Sequence, residues 1–255
     1  MHPRSDSFPE TVSAILPALN EEESLPAAIR SAREAGADEV IVADGGSVDR
    51  TVATARALAD IVIVHPAGRA VQMNAGARAS SGQILLFLHA DTLLPPGSVD
   101  AVRAAVRQGG ISGGAFSVRL ALSPSASPYC RAILRLTGRM IGVRSRIFRA
   151  YTGDQAIFVR RDIFDAIGGY PEIPLMEDVE FSRRLARLGQ TRLLSERVTT
   201  SGRRWEAAGP VQTILLMWGL RVSYLLGMSP ARCAEIYGRS RGKAAGQRVR
   251  SGNRV

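Results

Sequence analysis

The chain has 255 residues, a formal net charge of +10 and no uninterrupted apolar run of the about 18 residues that a membrane-spanning helix needs. Residues 1–7 contain no apolar segment typical of a secretory signal, which favours a cytoplasmic protein. The two cysteines, Cys130 and Cys233, are far apart and lack metal-ligand spacing, so we expect free thiols in a reducing compartment.

Short strands and helices alternate through the first half of the chain. The predicted strands cover residues 12–16, 39–43, 61–64 and 84–88, and the predicted helices cover residues 20–35, 49 or 50 to 58, and 69–79. This βαβαβαβ order predicts an α/β fold of the Rossmann-like kind. Its central sheet is expected to be mostly parallel, with helices on both faces.

The fourth predicted strand is the centre of this interpretation. Five successive apolar residues, Ile84 to Leu88, lead into the sequence His89-Ala90-Asp91, and such a run is typical of a strand buried on both faces. Asp91 therefore follows the C-terminal end of a central strand, and open α/β sheets bind ligands outside those ends. A carboxylate in this position could hold a metal ion against a phosphate.

Polar loops also follow the first two strands, at residues 17–21 and 44–51. In the second loop, Gly45 lets the backbone approach a ligand, Ser47 can cap the next helix, and Asp44 can accept from a base edge or a ribose hydroxyl. Taken alone, this loop is better explained as a capped turn. The chain lacks the G-x-G-x-x-G and G-x-x-x-x-G-K-[ST] patterns, which argues against a hydride-transfer enzyme and an ordinary P-loop NTPase.

The second half is predicted to begin with a strand and an amphipathic helix. Residues 111–122 are predicted as a strand, and residues 128–141 as a helix with an apolar face and a face of arginines. Residues 131–149 carry six arginines and no acid, and such local basicity favours phosphate-rich partners or an anionic membrane surface. The helix fits two interpretations, a face packed on the body or an acceptor- or membrane-facing surface.

The helix predicted over residues 176–189 supplies a candidate base. Its buried stripe lies at positions i, i+4 and i+7 and consists of Phe181, Leu185 and Leu188. Asp178 lies three residues before this stripe begins and is expected to project inward, whereas Glu177 is expected to turn outward. An acid in a first turn also stabilises the helix N-terminus. Because Asp178 is expected to point inward, we interpret it as a base.

The C-terminal part is divided into an apolar helix and a basic tail. Residues 211–228 are mostly apolar, but Arg221 in their middle argues against a membrane span. Packing on the domain or between subunits is the preferred interpretation over membrane contact. Residues 239–255 carry six cations and no acid, which predicts a disordered, solvated tail.

Seven short stretches occur in the order found in family 2 glycosyltransferases, which the chain resembles over roughly residues 10–205. The stretches are Pro17-Ala18-Leu19-Asn20-Glu21, residues 44–51, residues 68–76, His89-Ala90-Asp91, Gly153-Asp154-Gln155, Gly168-Gly169-Tyr170 and Met176-Glu177-Asp178. The resemblance implies an inverting enzyme with the A-type nucleotide-diphospho-sugar transferase fold. The last motifs are similar to those of a small bacterial subgroup of single-domain members. The resemblance to family 2 glycosyltransferases also implies a transferase domain over residues 10–205, followed by a helical extension over residues 206–238.

The resemblance assigns the donor side residue by residue. The residues expected at the donor nucleotide are Pro17, Asn20, Glu21, Asp44, Gly45, Ser47, Arg69, Asn74, His89 and Ala90. Asp91 corresponds to the last acid of the family's D-x-D metal motif, and His89 replaces its first acid. This replacement affects the expected sugar or ribose contact more than the metal, and a strand-end hydrogen bond is the alternative role for His89. One carboxylate, two diphosphate oxygens and waters can complete an octahedral Mg²⁺ or Mn²⁺ site.

The resemblance also assigns a reaction. Asp178 is the expected general base, beside Glu177, for in-line displacement at the anomeric carbon. The residues expected at the diphosphate or the acceptor are Arg203, Arg204, Trp205, Gly153, Asp154 and Gln155. The expected partners are a nucleotide-diphosphate sugar and a hydroxyl acceptor, which could be a small molecule, a lipid or a glycan. A homodimer and peripheral contact at the inner face of the membrane are further options, and no nucleic acid is expected.

Two other functions fit parts of the sequence. A sugar-phosphate nucleotidyltransferase has the same architecture but should show a G-x-G-T-R loop after the first strand, and residues 17–21 do not. A non-catalytic protein that binds nucleotide-sugars or nucleic acid is supported only by His89 and the basic tail. Deletion of residues 239–255 separates this last case, because nucleic-acid binding would be lost and transferase activity retained.

Overall fold

The computed structural model describes residues 10–124 and 126–239, and only the backbone of residues 204 and 207. The predicted tail from residue 240 onward lies outside the described residues. The first half contains β1 (Val12–Ala18), α1 (Leu25–Glu34), β2 (Glu39–Asp44), α2 (Thr51–Leu58), β3 (Ile61–Val64), α3 (Arg69–Ala79) and β4 (Ile84–Phe87). The second half contains β5 (Thr92–Leu93), α4 (Val99–Arg107), β6 (Ile111–Ala121), α5 (Pro128–Phe148), β7 (Ile157–Arg160), α6 (Arg161–Ala166), α7 (Glu177–Leu188), β8 (Gln190–Ser201), α8 (Arg203–Ala208) and α9 (Pro210–Leu225). A 3₁₀ turn covers Gly153–Gln155, and residues 230–239 are helical.

The strands form one sheet in the order β3-β2-β1-β4-β7-β6-β8-β5. β1 pairs in parallel with β2 and β4, β2 with β3, and β6 with β8, while β7 runs antiparallel between β4 and β6. The prediction of an α/β fold with a mostly parallel sheet is confirmed. Because β1, β2 and β4 are parallel, the loops after them meet at one edge of the sheet.

The core covers both faces of β4. Ile84 and Leu86 pack with α1 and α4 on one face, whereas Leu85 and Phe87 pack with α3 and α7 on the other. All four side chains are at most 2% exposed, as the apolar run predicts. Each such burial contributes about 1.5–3 kcal/mol to folding. The strand that ends before Asp91 is therefore fixed on both sides.

Two helices differ in length from the sequence prediction. α1 begins at Leu25, next to a proline in its first turn, and not at Asn20. Asn20 has a φ of 54°, its N–H donates to Ser47, and its side-chain oxygen accepts from the N–H of Val48. α5 continues past residue 141 to Phe148 and ends where Arg149 adopts a left-handed conformation.

The C-terminal segment packs against the start of α7. Leu220 of α9 and Cys233 of the segment 230–239 form a buried cluster with Leu175, Met176 and Val179. Cys233 and Cys130 are both buried free thiols, as their spacing predicts. In the part of the chain that the structure describes, no helix combines the length and apolar content needed to cross a bilayer.

Candidate functional site

A cleft of about 630 Å³ opens at the C-terminal ends of β1 and β4. Its floor includes Ala18 and Asp91, its far side is the start of α7, and its upper wall comes from the inner faces of α5 and α9. Gln72 of α3 holds the floor together, because its side-chain amide donates to the carbonyl oxygens of Ala18 (2.8 Å) and Ala43 (2.7 Å). The C-terminal extension therefore forms part of the site.

Most of the candidate residues that the sequence suggests line this cleft. They are Pro17, Glu21, Arg69, His89, Ala90, Asp91, Gly153, Asp154, Glu177, Asp178, Arg203 and Trp205. Six others are absent from its described walls, namely Asn20, Asp44, Gly45, Ser47, Asn74 and Gln155. The side chain of Arg204 lies outside the described part of the chain.

Asp44 organises the turn after β2. It is fully buried, and its carboxylate accepts hydrogen bonds from the N–H groups of Gly46 and Ser47 (both 2.8 Å) and from the Ser47 hydroxyl. Ser47 in turn accepts from the N–H of Asn20. These contacts link the loops after β1 and β2 into one rigid corner, as in the capped-turn interpretation.

Asn74 was expected beside the nucleotide, but its side chain is absent from the described walls of the cleft. Its amide donates to the carbonyl oxygen of Tyr170 (2.9 Å) and accepts from the N–H of the same residue (2.9 Å). The side chain also lies so close to Gly169 that a Cβ there would come within 2.8 Å of Asn74 Oδ1. Asn74 therefore fixes the loop before α7 and does not face the cleft.

Gln155 is also absent from the described walls of the cleft. The side chain is fully buried, and its Oε1 accepts from Ser145 Oγ (3.0 Å) and from the N–H of Thr152 (3.1 Å). Gln155 Nε2 donates to the carbonyl oxygen of Phe116. The side chain holds the turn Gly153–Gln155 against β6 and α5, so it positions the neighbouring residues.

Asp91 and His89 both face the cleft from the end of β4. The Thr92 hydroxyl lies 3.5 Å from Asp91 Oδ1, and no ion pair to Asp91 exists among the described residues. A cleft-facing carboxylate without a cationic partner fits one ligand of Mg²⁺ or Mn²⁺. No cluster of three or more acidic, histidine or cysteine ligands occurs in the described residues, so further ligands would come from the donor and water.

His89 packs directly on the turn Gly153–Gln155. A Cβ at Gly153 would come within 2.3 Å of His89 Nε2, so a side chain at this position would require the imidazole to move. The N–H of Gly153 donates to Asp178 Oδ2 at 3.0 Å. His89 therefore supports the loop that orients Asp178. This packing role differs from both alternatives that the sequence suggests, a sugar or ribose contact and a strand-end hydrogen bond.

Glu177 does not turn outward as predicted. It is 3% exposed, lines the cleft and forms an ion pair with Arg69 at 3.1 Å. The spacing of Phe181 and Leu185 reveals only the face of α7 that packs on the sheet. The C-terminal cluster around Leu220 covers a second side of the first turn, and that contact leaves no periodic pattern in α7. Leu188, the third residue of the predicted stripe, is 51% exposed.

Glu177 and Arg69 each change the pKa of the other. Burial raises the pKa of Glu177 to about 7, against the opposing effect of Arg69 and with an added contribution from Asp178. Burial disfavours the charged form of Arg69, but Glu177 and Asp178 outweigh this effect and raise its pKa. Asp178 is half-buried and accepts from the N–H groups of Gly153 and Val179. Both acids thus face the cleft, with only Glu177 held in an ion pair.

Two arginines of the upper wall were not identified as site residues from the sequence. Arg144 of α5 and Arg221 of α9 line the cleft beside Asp154, whose pKa is raised by burial. Arg144 was counted only within the basic segment 131–149, and Arg221 only as an argument against a span. A helical projection of α5 that aligned Thr137, Ile141 and Arg144 would have placed Arg144 on an inward face.

Comparison with known proteins gives a family match for part of the chain and a fold match for most of it. Residues 13–120 match the model of the family described as glycosyl transferase family 2, which confirms the resemblance drawn from the motifs. A search of curated proteins gives no match. The matched segment contains β1 to β6 and the Asp91 loop, whereas α5, α7 and α9 lie beyond it.

Solved structures share the fold at low sequence identity. S. aureus TarS 1–349 superposes with a TM-score of 0.58 at 17% identity, over 75% of this chain and 60% of TarS 1–349. The same protein with UDP-GlcNAc gives a TM-score of 0.55 at 17% identity, over 75% and 58% of the two chains. Glucosyl-3-phosphoglycerate synthase from Mycobacterium tuberculosis, in complex with Mn²⁺, UDP-glucose and phosphoglyceric acid, gives 0.54 at 20% identity, over 74% and 70%. The chain thus spans less than two thirds of TarS 1–349.

Proposed function

We propose that this chain, whose residues 13–120 match the model of glycosyl transferase family 2, transfers a sugar from a nucleotide-diphosphate sugar to a hydroxyl acceptor with inversion at the anomeric carbon. The observation that supports this most is that Asp91, after β4, and Asp178, in the first turn of α7, line the same cleft. One end of the cleft thus offers a ligand for a metal–diphosphate group, and the other offers a base for a hydroxyl.

Each residue of the cleft has a defined part in this proposal. Asp178 accepts the proton of the acceptor hydroxyl, and the N–H of Gly153 holds one of its oxygens in a fixed direction. Arg203 contacts the leaving diphosphate, because a guanidinium matches phosphate geometry. Glu177 keeps Arg69 in place across the cleft. A Mg²⁺ or Mn²⁺ ion held by Asp91 would neutralise the charge that develops on the diphosphate.

The division of the chain is part of the proposal. Residues 10–205 form the transferase domain, and residues 206–238 form an extension whose α9 completes the upper wall of the cleft. TarS has been solved with UDP and UDP-GlcNAc, and glucosyl-3-phosphoglycerate synthase with UDP-glucose and Mn²⁺. Uridine-diphosphate sugars with Mn²⁺ are therefore the first donors to test.

A thermal-shift screen tests the donor. We expect one class of nucleotide-diphosphate sugar to raise the melting temperature in the presence of Mn²⁺ or Mg²⁺ and to do much less without either ion. A ligand at 100 times its Kd adds about 2.7 kcal/mol to the stability of the folded state. If no uridine, guanosine, cytidine, adenosine or thymidine diphosphate sugar changes the melting temperature, the transferase proposal fails.

The outer faces of α5 and α9 favour a place at an anionic membrane surface. Each helix exposes an apolar stripe whose residues are spaced by three and four positions. Of these stripe residues, only Trp218 also lines the cleft. The stripes consist of Leu136, Met140, Val143 and Ile147 on α5, and of Val211, Leu215, Trp218, Val222 and Leu225 on α9, and these residues are 42–67% exposed. Because apolar stripes of this kind are rare on a protein surrounded only by water, a partner should cover them.

Charge favours a membrane over a second copy of the chain. The α5 stripe is flanked by exposed Arg135, Arg139 and Arg146, and α5 contains no acid. Anionic lipid complements such a face, whereas a symmetric pairing through α5 would bring two arginine-rich faces together. We therefore place the protein at the inner surface of the membrane, with the cleft mouth beside Trp218 near the lipid.

Flotation with vesicles tests this surface. The protein should bind vesicles of phosphatidylglycerol and phosphatidylcholine, but not vesicles of phosphatidylcholine alone, and the binding should weaken as salt increases. Leu215→Asp should reduce binding more than tenfold, because it removes about 1.5–3 kcal/mol of apolar contact. Arg139→Ser should reduce it about fivefold, in line with about 1 kcal/mol per basic residue.

Val64→Asp is the control for Leu215→Asp. Val64 is 57% exposed at the end of β3, the edge strand at the other end of the sheet from β6 and β8, which α5 contacts. A dimer in solution that Leu215→Asp converts to monomer would show that a second copy covers the stripes. That result, like equal binding to both kinds of vesicle, would contradict the membrane assignment.

A further inference from the structure

The upper wall of the cleft contains two guanidinium groups without acidic partners. Arg144 comes from α5 and Arg221 from α9, and both face the cleft. Within the described residues neither of them forms an ion pair, and the buried Nε atom of each has no hydrogen-bond partner. Buried or half-buried arginines are normally paired with a carboxylate or a bound anion, so this wall lacks an anionic group.

The two side chains are held in different ways. One terminal nitrogen of Arg144 makes long contacts of 3.3–3.4 Å to neutral oxygens of the loop 150–155, which position the group without neutralising it. No hydrogen bond of Arg221 to any described residue is formed. Burial, and then the proximity of Arg221, lower the pKa of Arg144 to about 10, so the group stays protonated at neutral pH.

The nearest carboxylate does not balance these charges. Asp154 influences both arginines, but it lies beyond ion-pair distance, and its Oδ1 is buried without a hydrogen-bond partner. Burial raises the pKa of Asp154 against the opposing effects of Thr152 and Arg144. The wall therefore carries an excess of positive charge directed into a cleft that has room for a ligand.

On the basis of the proposed function, we infer that Arg144 and Arg221 form a phosphate-binding subsite for the acceptor, so that the acceptor carries a phosphate group close to the hydroxyl that is glycosylated. Two guanidinium groups supply parallel N–H donors and the charge that a phosphate dianion requires. This subsite lies on the base side of the cleft, because Arg144 contacts the loop 150–155 and the N–H of Gly153 in that loop donates to Asp178. The donor diphosphate belongs near Asp91 and Arg203, at the ends of β4 and β8.

Calorimetric titration with inorganic phosphate at constant ionic strength tests the subsite. The titration is made once with the protein alone and once with the protein saturated with UDP and Mg²⁺, which fills the donor site. We expect phosphate to bind in both cases. Arg221→Gln should weaken phosphate binding at least tenfold, Arg221→Lys should restore much of it, and the Kd for UDP should stay within about twofold in both variants.

Arg221 is the better test position, because Arg144 also contacts the loop 150–155 and Arg144→Gln could disturb it. Arg146→Gln is the matched control, since Arg146 lies on α5 but is exposed to solvent. Its phosphate affinity should equal that of the unchanged protein.

Three results separate this inference from its alternatives. Unchanged phosphate binding in Arg221→Gln would overturn the subsite. Competition between phosphate and UDP, with a weaker Kd for UDP in Arg221→Gln, would assign the two arginines to the donor diphosphate and would also overturn it. If the protein bound no UDP but still bound phosphate through Arg221, the subsite would stand and the proposed transferase function would fail.

Discussion

Asp91→Ala is expected to abolish the metal-dependent part of nucleoside-diphosphate binding and to leave the fold intact. Asp91 follows β4, whose own residues are at most 2% exposed, and within the described residues the hydrogen bond of its carboxylate is a 3.5 Å contact with the Thr92 hydroxyl. Its removal therefore breaks no ion pair among the described residues, and the melting temperature should change little. The site, however, would lose its protein ligand for a hard cation.

The measurement is calorimetric titration with UDP in the presence and absence of Mn²⁺. The gain in affinity that Mn²⁺ gives the unchanged protein should disappear in Asp91→Ala, and most of it should disappear in Asp91→Asn, because a neutral amide is a poor ligand for Mn²⁺. Asp165→Ala, an exposed acid on α6, is the control and should behave as the unchanged protein. An undiminished effect of Mn²⁺ in Asp91→Ala would refute the metal assignment.

The sheet and the position of Asp91 could be predicted because they depend on local patterns. A continuous apolar run specifies a strand buried on both faces, and alternation with helices specifies parallel neighbours. The residues 84–88 therefore place Asp91 without knowledge of any long-range contact. The match of residues 13–120 to glycosyl transferase family 2 covers this same predictable half.

Asn74 and Gln155, which do not line the cleft, make contacts with residues that are distant in the sequence. Asn74 is polar and close to the motif Gly68-Arg69, but its partner is Tyr170, 96 residues away. Gln155 belongs to a motif, yet its donors and acceptors lie on α5 and β6 and enclose it completely. A motif identifies residues that stay together in a family, but it does not separate those that touch a ligand from those that support them.

The upper wall of the cleft, formed by α5 and α9, was the least predictable part of the site. Arg144 and Arg221 are 77 residues apart, as their numbers show, and converge only because α5 and α9 pack side by side above the sheet. Glu177 shows the same limit, since the cluster around Leu220 that buries its turn comes from the C-terminal extension. Helical periodicity reveals one packed face, and a second face contacted by a distant segment requires the tertiary structure.

Glu177 and Asp178 are the two candidates for the base, and their isosteric amides should have different effects. Asp178→Asn should reduce turnover about 10²–10⁴-fold, the usual effect of removing a general base, and change donor affinity by no more than about threefold. Asp178 remains the better candidate because Glu177 is held in an ion pair with Arg69 and is almost fully buried. Glu177→Gln should lower the melting temperature, since it removes that ion pair, and reduce turnover much less than Asp178→Asn.

Release of UDP in the presence of a working acceptor gives turnover, and separate titration gives donor affinity. The pH dependence then separates the two acids. If Glu177 were the base, its pKa of about 7 would make turnover rise as the pH increases through 7, and this step would be absent in Glu177→Gln. If Asp178 is the base, Glu177→Gln keeps the shape of the profile and Asp178→Asn lowers turnover throughout it. Normal turnover in both variants would leave the cleft without a base, and the binding of nucleotide-sugars without catalysis would then be the better explanation.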